Sequence, residues 1–185
     1  ILVQVAMRLR ASMDSHSSVA RIGGDEFAVL YPMVFSEDAA LDRVNTLIEI
    51  LSAPYDVGER MARLSASSGC ALYSSSDESA SVLINKAETA LYHAKRAGRR
   101  RVLVYSGEIG AAAKYTTHVE QALRRAVAAG EVQAFFQPIV DLQTRNTIGL
   151  EALARWTDPD LGIVSPTIFI PIAEERGIIG AHSQL

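Results

Sequence analysis

The 185 residues are 49% apolar and 21% charged, enough to bury a core and unlike a disordered chain. A formal charge of −3 argues against a general nucleic-acid binder, although local cationic clusters still suit small anionic ligands. Cys70 stands alone, which excludes a disulfide within these residues and fits a reducing compartment, and no apolar run approaches the roughly 20 residues of a membrane span.

Residues 1 to 13 set Leu2, Val5, Ala6, Leu9 and Met13 at helical spacing, with Arg8 and Arg10 off that stripe. The arginines make this an amphipathic helix rather than a signal peptide. Val19 to Ile22 and Phe27 to Tyr31 read as strands flanking Gly23-Gly24-Asp25-Glu26, a hairpin whose second strand Pro32 ends. Ser36 is placed to cap a helix carrying Leu41, Val44, Leu47, Ile48 and Leu51, with Glu37 and Asp38 in its first turn. Pro54 to Val57 and Arg63 to Tyr73 read as strands around a turn near Gly58. "YSSSDESAS" is a polar loop, Ser81 to Ala97 a helix stopped by Gly98, and Val102 to Tyr105 a last short strand. The order predicts an α/β sandwich with antiparallel pairs in its sheet.

The small, polar stretch "SGEIGAAAKYTT" marks a boundary. Beyond it, Thr116 or Thr117 is expected to cap a helix that Gly130 ends. Then come the strand "QAFFQPIV", a turn at "DLQTRN", the strand "TIGLEALARW", a loop "TDPDLGIVSP" and the helix "TIFIPIAEERG". That run has the look of the opening of a larger fold.

Three constellations bear on chemistry. Gly-Gly by itself serves as a two-residue hairpin turn. The adjoining Asp25 and Glu26 add a second use, in which the glycines admit a phosphate to the backbone and a carboxylate holds Mg²⁺ against it. Alternation along a strand would send the two carboxylates to opposite faces. In "LYHAKRAGRRR", Lys95, Arg96, Arg99, Arg100 and Arg101 crowd a helix C-terminus, which the macrodipole favours without any ligand. Lys95 and Arg99 are spaced i, i+4, which on a helix puts them on one face and suits two contacts to one polyphosphate. On the strand at 149 to 156, Glu151, Leu153 and Arg155 share a face. Glu151 and Arg155 suit either a salt bridge or a metal ligand beside a phosphate ligand, with Gln137 arriving from the neighbouring strand. Other templates fail: there is no P-loop pattern, and His16, His93, His118 and His182 are scattered. His118-Val-Glu120 matches half a deaminase signature, but one cysteine cannot supply the paired thiolates.

"VAMRLR", "VARIGGDEFAVL" and "INKAETALYHAKRAGRRRV" resemble, in order and spacing, the later part of a GGDEF domain of the diguanylate cyclase family. "LRRAVAAGEVQAFFQPIVDL", "GLEALARW" and "GIVSPTIFIPIAEERGII" resemble the start of an EAL domain of the cyclic-di-GMP phosphodiesterase family. The resemblance implies a GGDEF-type, nucleotide-cyclase-like α/β sandwich over residues 1–106, a linker over 107–115, and the opening of an EAL-type modified β/α barrel over 116–185. By resemblance, Gly23 and Gly24 line a GTP site, Asp25 holds Mg²⁺ and assists the 3′-hydroxyl, and Glu26 is a second metal or nucleotide contact. Lys95 and Arg99 match the phosphate-binding pair. Glu151 matches a catalytic ligand of Mg²⁺ or Mn²⁺, Arg155 a substrate-phosphate ligand, and Gln137 and Leu153 the lining of the dinucleotide site. The activities implied are condensation of two GTP to cyclic-di-GMP by a homodimer, and hydrolysis of cyclic-di-GMP to pGpG. An alternative is a regulatory protein that binds GTP and cyclic-di-GMP without turning them over. No nucleic-acid partner and no membrane segment are expected, and the location expected is cytoplasmic, with any anchor lying upstream.

The resemblance places a first metal aspartate before Ile1 and further metal ligands, with a water-positioning lysine, after Leu185. A chain bounded as this one is expected to be inactive. Glu88 and Arg100 depart from a usual Asp and Asn. The family's Arg-x-x-Asp inhibition motif, five residues before the glycines, is "DSHS" here, with Asp14 and Ser17 at its ends. The expected consequence for the full-length parent is a cyclase rate without product inhibition through this primary site, measured by chromatography of nucleotide products; a strong fall in rate on adding micromolar product would count against it.

Overall fold

The computed structural model describes residues 1–73 and 78–178. It divides into two compact units, Ile1–Gly110 and a second beginning at Ala111. The first runs α1 (Leu2–Ala11), β1 (Ser18–Gly23), β2 (Glu26–Leu30), α2 (Glu37–Ser52), β3 (Tyr55–Asp56), β4 (Met61–Ala62), β5 (Ser68–Cys70), α3 (Ala80–Arg96) and β6 (Val102–Val104).

The apolar stripe of α1 buries Val5 and Leu9 against Leu47 of α2 and Tyr55, with Val19, Phe27, Val29 and Tyr31 of the hairpin region closing around them. Ser36 caps α2 as expected, its hydroxyl accepting from the Ala39 amide at 3.2 Å. At the other end of α2 the off-stripe Arg8 has a task. Its guanidinium donates to the carbonyls of Ile50 at 3.3 Å, Ala53 at 2.5 Å and Pro54, and lies 3.8 Å from the Tyr55 ring centroid. A cation thus satisfies carbonyls that the helix end leaves without intrahelical donors.

The strands form short, separate ladders: β1–β2 and β3–β4 antiparallel, β5–β6 parallel. The parallel pair was not among the expected pairings. Its strands are joined through α3, and a helical crossover lets consecutive strands run the same way. Of the long strand expected over 63 to 73, only Ser68–Cys70 pairs. Residues 74–77 of the expected polar loop lie outside the described residues.

Between β5 and α3 the backbones almost touch. A Cβ on Gly69 would sit 2.1 Å from the Ala87 carbonyl oxygen and 2.1 Å from the Leu91 nitrogen. Ala90 and Ala94, both fully buried, keep the side of the helix small. Ser79 caps α3, accepting from the Val82 amide at 3.4 Å.

The helix α4 (Gly107–Ala129) begins in the last residues of the first unit and continues into the second, where β7 (Gln133–Val140), β8 (Thr147–Asp158), β9 (Gly162–Val164) and α5 (Pro166–Glu175) follow. The α4 helix starts at Gly107, well before Thr116. The Ser106 hydroxyl accepts from the Ile109 amide, while Thr116 and Thr117 sit mid-helix and back-bond to Ala112 and Ala113. Alanine-rich sequence carries the helix through the stretch expected as a linker. Val119, Ala122, Leu123 and Ala126 pack with Trp156, Val164, Phe169 and Ile172, and the Trp156 and Phe169 rings meet edge-on at 5.6 Å. The short β9 falls in a stretch expected as loop. Buried Asp158 turns the chain into it, accepting from the Asp160 and Leu161 amides at 2.9 and 3.0 Å. Ser165 caps α5 and Pro166 occupies its first position, where a missing N–H costs nothing.

Gly69→Ala is expected to push α3 away from β5 and to destabilise the first unit by about 1–3 kcal/mol, the usual cost of overpacking a close contact. Urea unfolding against wild type measures it; an unchanged midpoint would show that the approach is not needed.

Candidate functional site

The β1–β2 register pairs Arg21 with Phe27 and Gly23 with Glu26, with a shift between Arg21 and Gly23. Gly23 therefore ends the first strand, Glu26 begins the second, and the two-residue turn is Gly24-Asp25 rather than Gly23-Gly24. Gly24 has φ +47°, in the left-handed region where a side chain is strained. Asp25 stands at the tip, so strand alternation does not separate it from Glu26. Gly23 has no atom within 4 Å of where a Cβ would be. The backbone of the motif is open on that side.

Arg21, which the sequence did not single out, braces this turn. Its Nε and Nη2 donate to the Gly24 carbonyl at 3.0 and 2.6 Å. No periodicity or motif spacing marks such a local side-chain-to-turn bond.

Across from the hairpin, Lys95 Nζ lies 3.0 Å from Glu26 Oε1, joining residues 69 positions apart. Both side chains are about half exposed, 46% and 50%, so the pair contributes only about 0–1 kcal/mol to stability. Its weight is positional: it puts an ammonium beside the acidic motif. Arg99 does not share a helical face with Lys95. The α3 helix ends at Arg96, Gly98 turns left-handed at φ 107°, and the Arg99 amide bonds back to the Ala94 carbonyl at 3.1 Å, closing a Schellman cap. The i, i+4 spacing spans a helix end, and the helical-face argument fails there.

The "DSHS" window folds into a turn around Asp14. Its carboxylate accepts from the Ser17 hydroxyl at 2.6 Å, the Ser17 amide at 2.8 Å and the His16 amide at 3.1 Å, and pairs with Arg43 at 2.9 Å. The Ser17 hydroxyl and then the Arg43 guanidinium hold its pKa far below the usual carboxylate range. Arg43 in turn lies 5.0 Å from the Tyr31 ring centroid.

In the second unit the register sets Gln137 directly opposite Glu151, Phe135 opposite Leu153, and Gln133 opposite Arg155. All six side chains belong to one face of the β7–β8 pair. The sequence-predicted Gln137, Glu151, Leu153 and Arg155 are thus brought together. Among the described residues Glu151 and Arg155 form no ion pair; the Arg155 guanidinium donates instead to the Ala154 carbonyl at 2.8 Å. Phe135 is 54% exposed, and every residue of β7 is exposed, so this face is open.

No group of three or more His, Cys, Asp or Glu side chains able to hold a metal occurs among the described residues. The donor sets on offer are Asp25 with Glu26, and Glu151. One or two carboxylates completed by phosphate oxygens and water is a usual Mg²⁺ arrangement, so these sets fit a metal that arrives with a phosphate ligand. No helix of the described residues is long and apolar enough to cross a membrane.

Known proteins resemble this chain in sequence and in fold. Residues 1–101 match the family model "Diguanylate cyclase, GGDEF domain", and residues 120–183 match the EAL domain model. The bifunctional diguanylate cyclase/cyclic di-GMP phosphodiesterase MucR of Pseudomonas aeruginosa is 35% identical over 179 residues, covering 97% of this chain and 26% of MucR. The chain therefore spans about a quarter of that relative's length. Among solved structures, the GGDEF domain of TpbB (YfiN) from Pseudomonas aeruginosa aligns with TM-score 0.54 and 32% identity, over 61% of this chain and 66% of that one. An EAL/GGDEF domain protein from M. capsulatus aligns with TM-score 0.50 and 28% identity, over 57% and 68%. Enzymes of these two families depend in general on divalent metal ions. With the glycine-acid hairpin, the facing lysine and the Glu151 strand in family order, the chain belongs to the GGDEF diguanylate cyclase family, followed in tandem by the start of an EAL domain.

Proposed function

We propose that this chain serves cyclic-di-GMP turnover, its first unit belonging to a GTP-condensing cyclase and its second to a cyclic-di-GMP phosphodiesterase. The observation that carries the proposal is the 3.0 Å approach of Lys95 to Glu26 beside the open backbone of Gly23. A triphosphate with its metal needs a cation for phosphate oxygens, a carboxylate for the metal and a stretch of backbone without side chains. These three lie side by side here. Asp25 and Glu26 would hold Mg²⁺, which when bound neutralises charge on the phosphates during attack by a 3′-hydroxyl. Lys95 would then leave Glu26 for a phosphate oxygen, a charge-assisted contact that fixes the nucleotide without forming a covalent bond. Condensing two GTP molecules head to tail needs two such sites facing each other, hence a homodimer.

In the second unit Glu151 would hold Mg²⁺ or Mn²⁺, Arg155 a phosphate of cyclic-di-GMP, and Gln137 and Leu153 its flanks. The adjacency of Gln137 and Glu151 supports this, since it puts a carboxylate and an amide within reach of one ligand. GTP and cyclic-di-GMP are cytoplasmic metabolites by their chemistry of use, and a cytoplasmic setting is part of the proposal.

Binding of a fluorescent GTP analogue with and without Mg²⁺ tests the first unit. Wild type should bind in a Mg²⁺-dependent way, and Lys95→Met should weaken binding about tenfold, as expected for losing a charged hydrogen bond. Gly23→Ala should leave the unfolding free energy within about 0.5 kcal/mol of wild type, since its Cβ meets nothing, while still weakening nucleotide binding. No Mg²⁺-dependent binding by wild type would overturn the proposal for this unit. For the second, calorimetry with cyclic-di-GMP and Mn²⁺ should show Arg155→Ala binding about tenfold more weakly. Equal binding by that variant removes Arg155 from the site.

A further inference from the structure

Beyond the end of α3 the backbone does something costly. Gly98 (φ 107°) is followed by Arg99 at φ 59° and Arg100 at φ 49°. Two consecutive residues with side chains therefore occupy the left-handed region, where each costs about 1–2 kcal/mol. Such conformations persist only where the surroundings enforce them.

Three hydrogen bonds do so. The Arg99 amide donates to the Ala94 carbonyl at 3.1 Å, as part of the helix cap. The Arg100 amide donates to the Ser67 hydroxyl at 3.1 Å, reaching back 33 positions. The Arg101 Nε donates to the Arg99 carbonyl at 3.2 Å. Ser67 immediately precedes β5, and the next residue's amide donates to the Arg101 carbonyl at 3.0 Å, at the start of the β5–β6 ladder. The segment that meets α3 at Gly69 thus also supplies the hydroxyl that holds the turn after it.

A plain helix-to-strand turn would need none of this, since glycine or asparagine takes the left-handed region at little cost. Here arginines occupy both places and two side chains brace them. Arg99 forms no ion pair among the described residues, so its guanidinium is open to an anion. We infer that Ser67 and Arg101 are positioning residues: they hold the strained Arg99–Arg100 backbone so that Arg99 presents its guanidinium to a nucleotide phosphate. The inference rests on the nucleotide reading of this unit, and adds two residues that act through Arg99 without touching the ligand.

The test is a double-mutant cycle on Mg²⁺-GTP affinity, run beside thermal unfolding of each variant. Ser67→Ala should weaken binding about threefold to tenfold, the factor expected from releasing one neutral hydrogen bond, and Arg101→Lys about tenfold, because its guanidinium bond is charge-assisted. Added to Arg99→Ala, Ser67→Ala should cause no further loss, because a positioning effect vanishes once the positioned group is gone. In an Arg100→Gly background the loss from Ser67→Ala should shrink, since glycine holds the turn unaided. Equal losses with and without Arg99, or losses tracking melting temperature alone, would reduce Ser67 to a structural role and overturn the inference. Unchanged affinity in Ser67→Ala, or wild-type affinity in Arg99→Ala, would overturn it as well. Absence of Mg²⁺-dependent GTP binding in wild type would be a separate result: it defeats the nucleotide reading itself, and the inference with it.

Discussion

At Gly69 the backbones of β5 and α3 approach so closely that a single methyl group would meet two main-chain atoms at 2.1 Å. Interiors are packed to near-crystalline density, so a contact of this kind fixes the helix in translation as well as in tilt. The direction of α3 sets where Lys95 emerges, and Lys95 meets Glu26 of the hairpin at 3.0 Å. The turn after α3 is tied to Ser67, two positions before Gly69. Both cationic candidates, Lys95 and Arg99, therefore take their places from the same helix–strand contact. The ion pair is too exposed to hold the fold together. Backbone packing does that, and the ion pair reports its result.

The second unit positions its candidate residues differently. There the β7–β8 register alone aligns Gln137 with Glu151 and Arg155 with Gln133. A slip of one residue would send every one of these side chains to the other face. The hairpin turn at Asp141 helps to fix that register: its carboxylate accepts from the Thr144 amide at 2.6 Å and from the Gln143 amide at 3.1 Å, and these bonds hold its pKa down. Behind the pair, Trp156 at the end of β8 anchors the strand in the core formed with α4 and α5.

Charge is distributed with the same economy in both units. Asp14 closes a turn on its own neighbours and on Arg43, Arg8 caps the end of α2, and Glu120 accepts from both Arg124 and Arg176 at 3.0 Å. These charged groups are engaged within the fold. Arg99 and Glu151 form no ion pair among the described residues, and the Lys95–Glu26 pair is exposed enough for a ligand to exchange. The candidate ligand-binding groups are thus among those whose charge the fold leaves available.

Sequence by itself determined the amphipathic helices, the cap at Ser36, the hairpin around the glycines and the shared face of Glu151 and Arg155. Each follows from a period or a capping rule that acts over a few residues. It misplaced what depends on where an element stops. The helix expected to start at Thr116 or Thr117 begins at Gly107, because small residues are compatible with both helix and coil. The Lys95–Arg99 spacing suits one helical face, but the helix ends between them. Only the tertiary structure decided that Lys95 faces Glu26, that Gly69 carries the closest helix–strand approach, and that Ser67 braces the turn at Arg99. These contacts join residues 18 to 69 positions apart. Local propensity cannot specify them; shape complementarity across the packed core can.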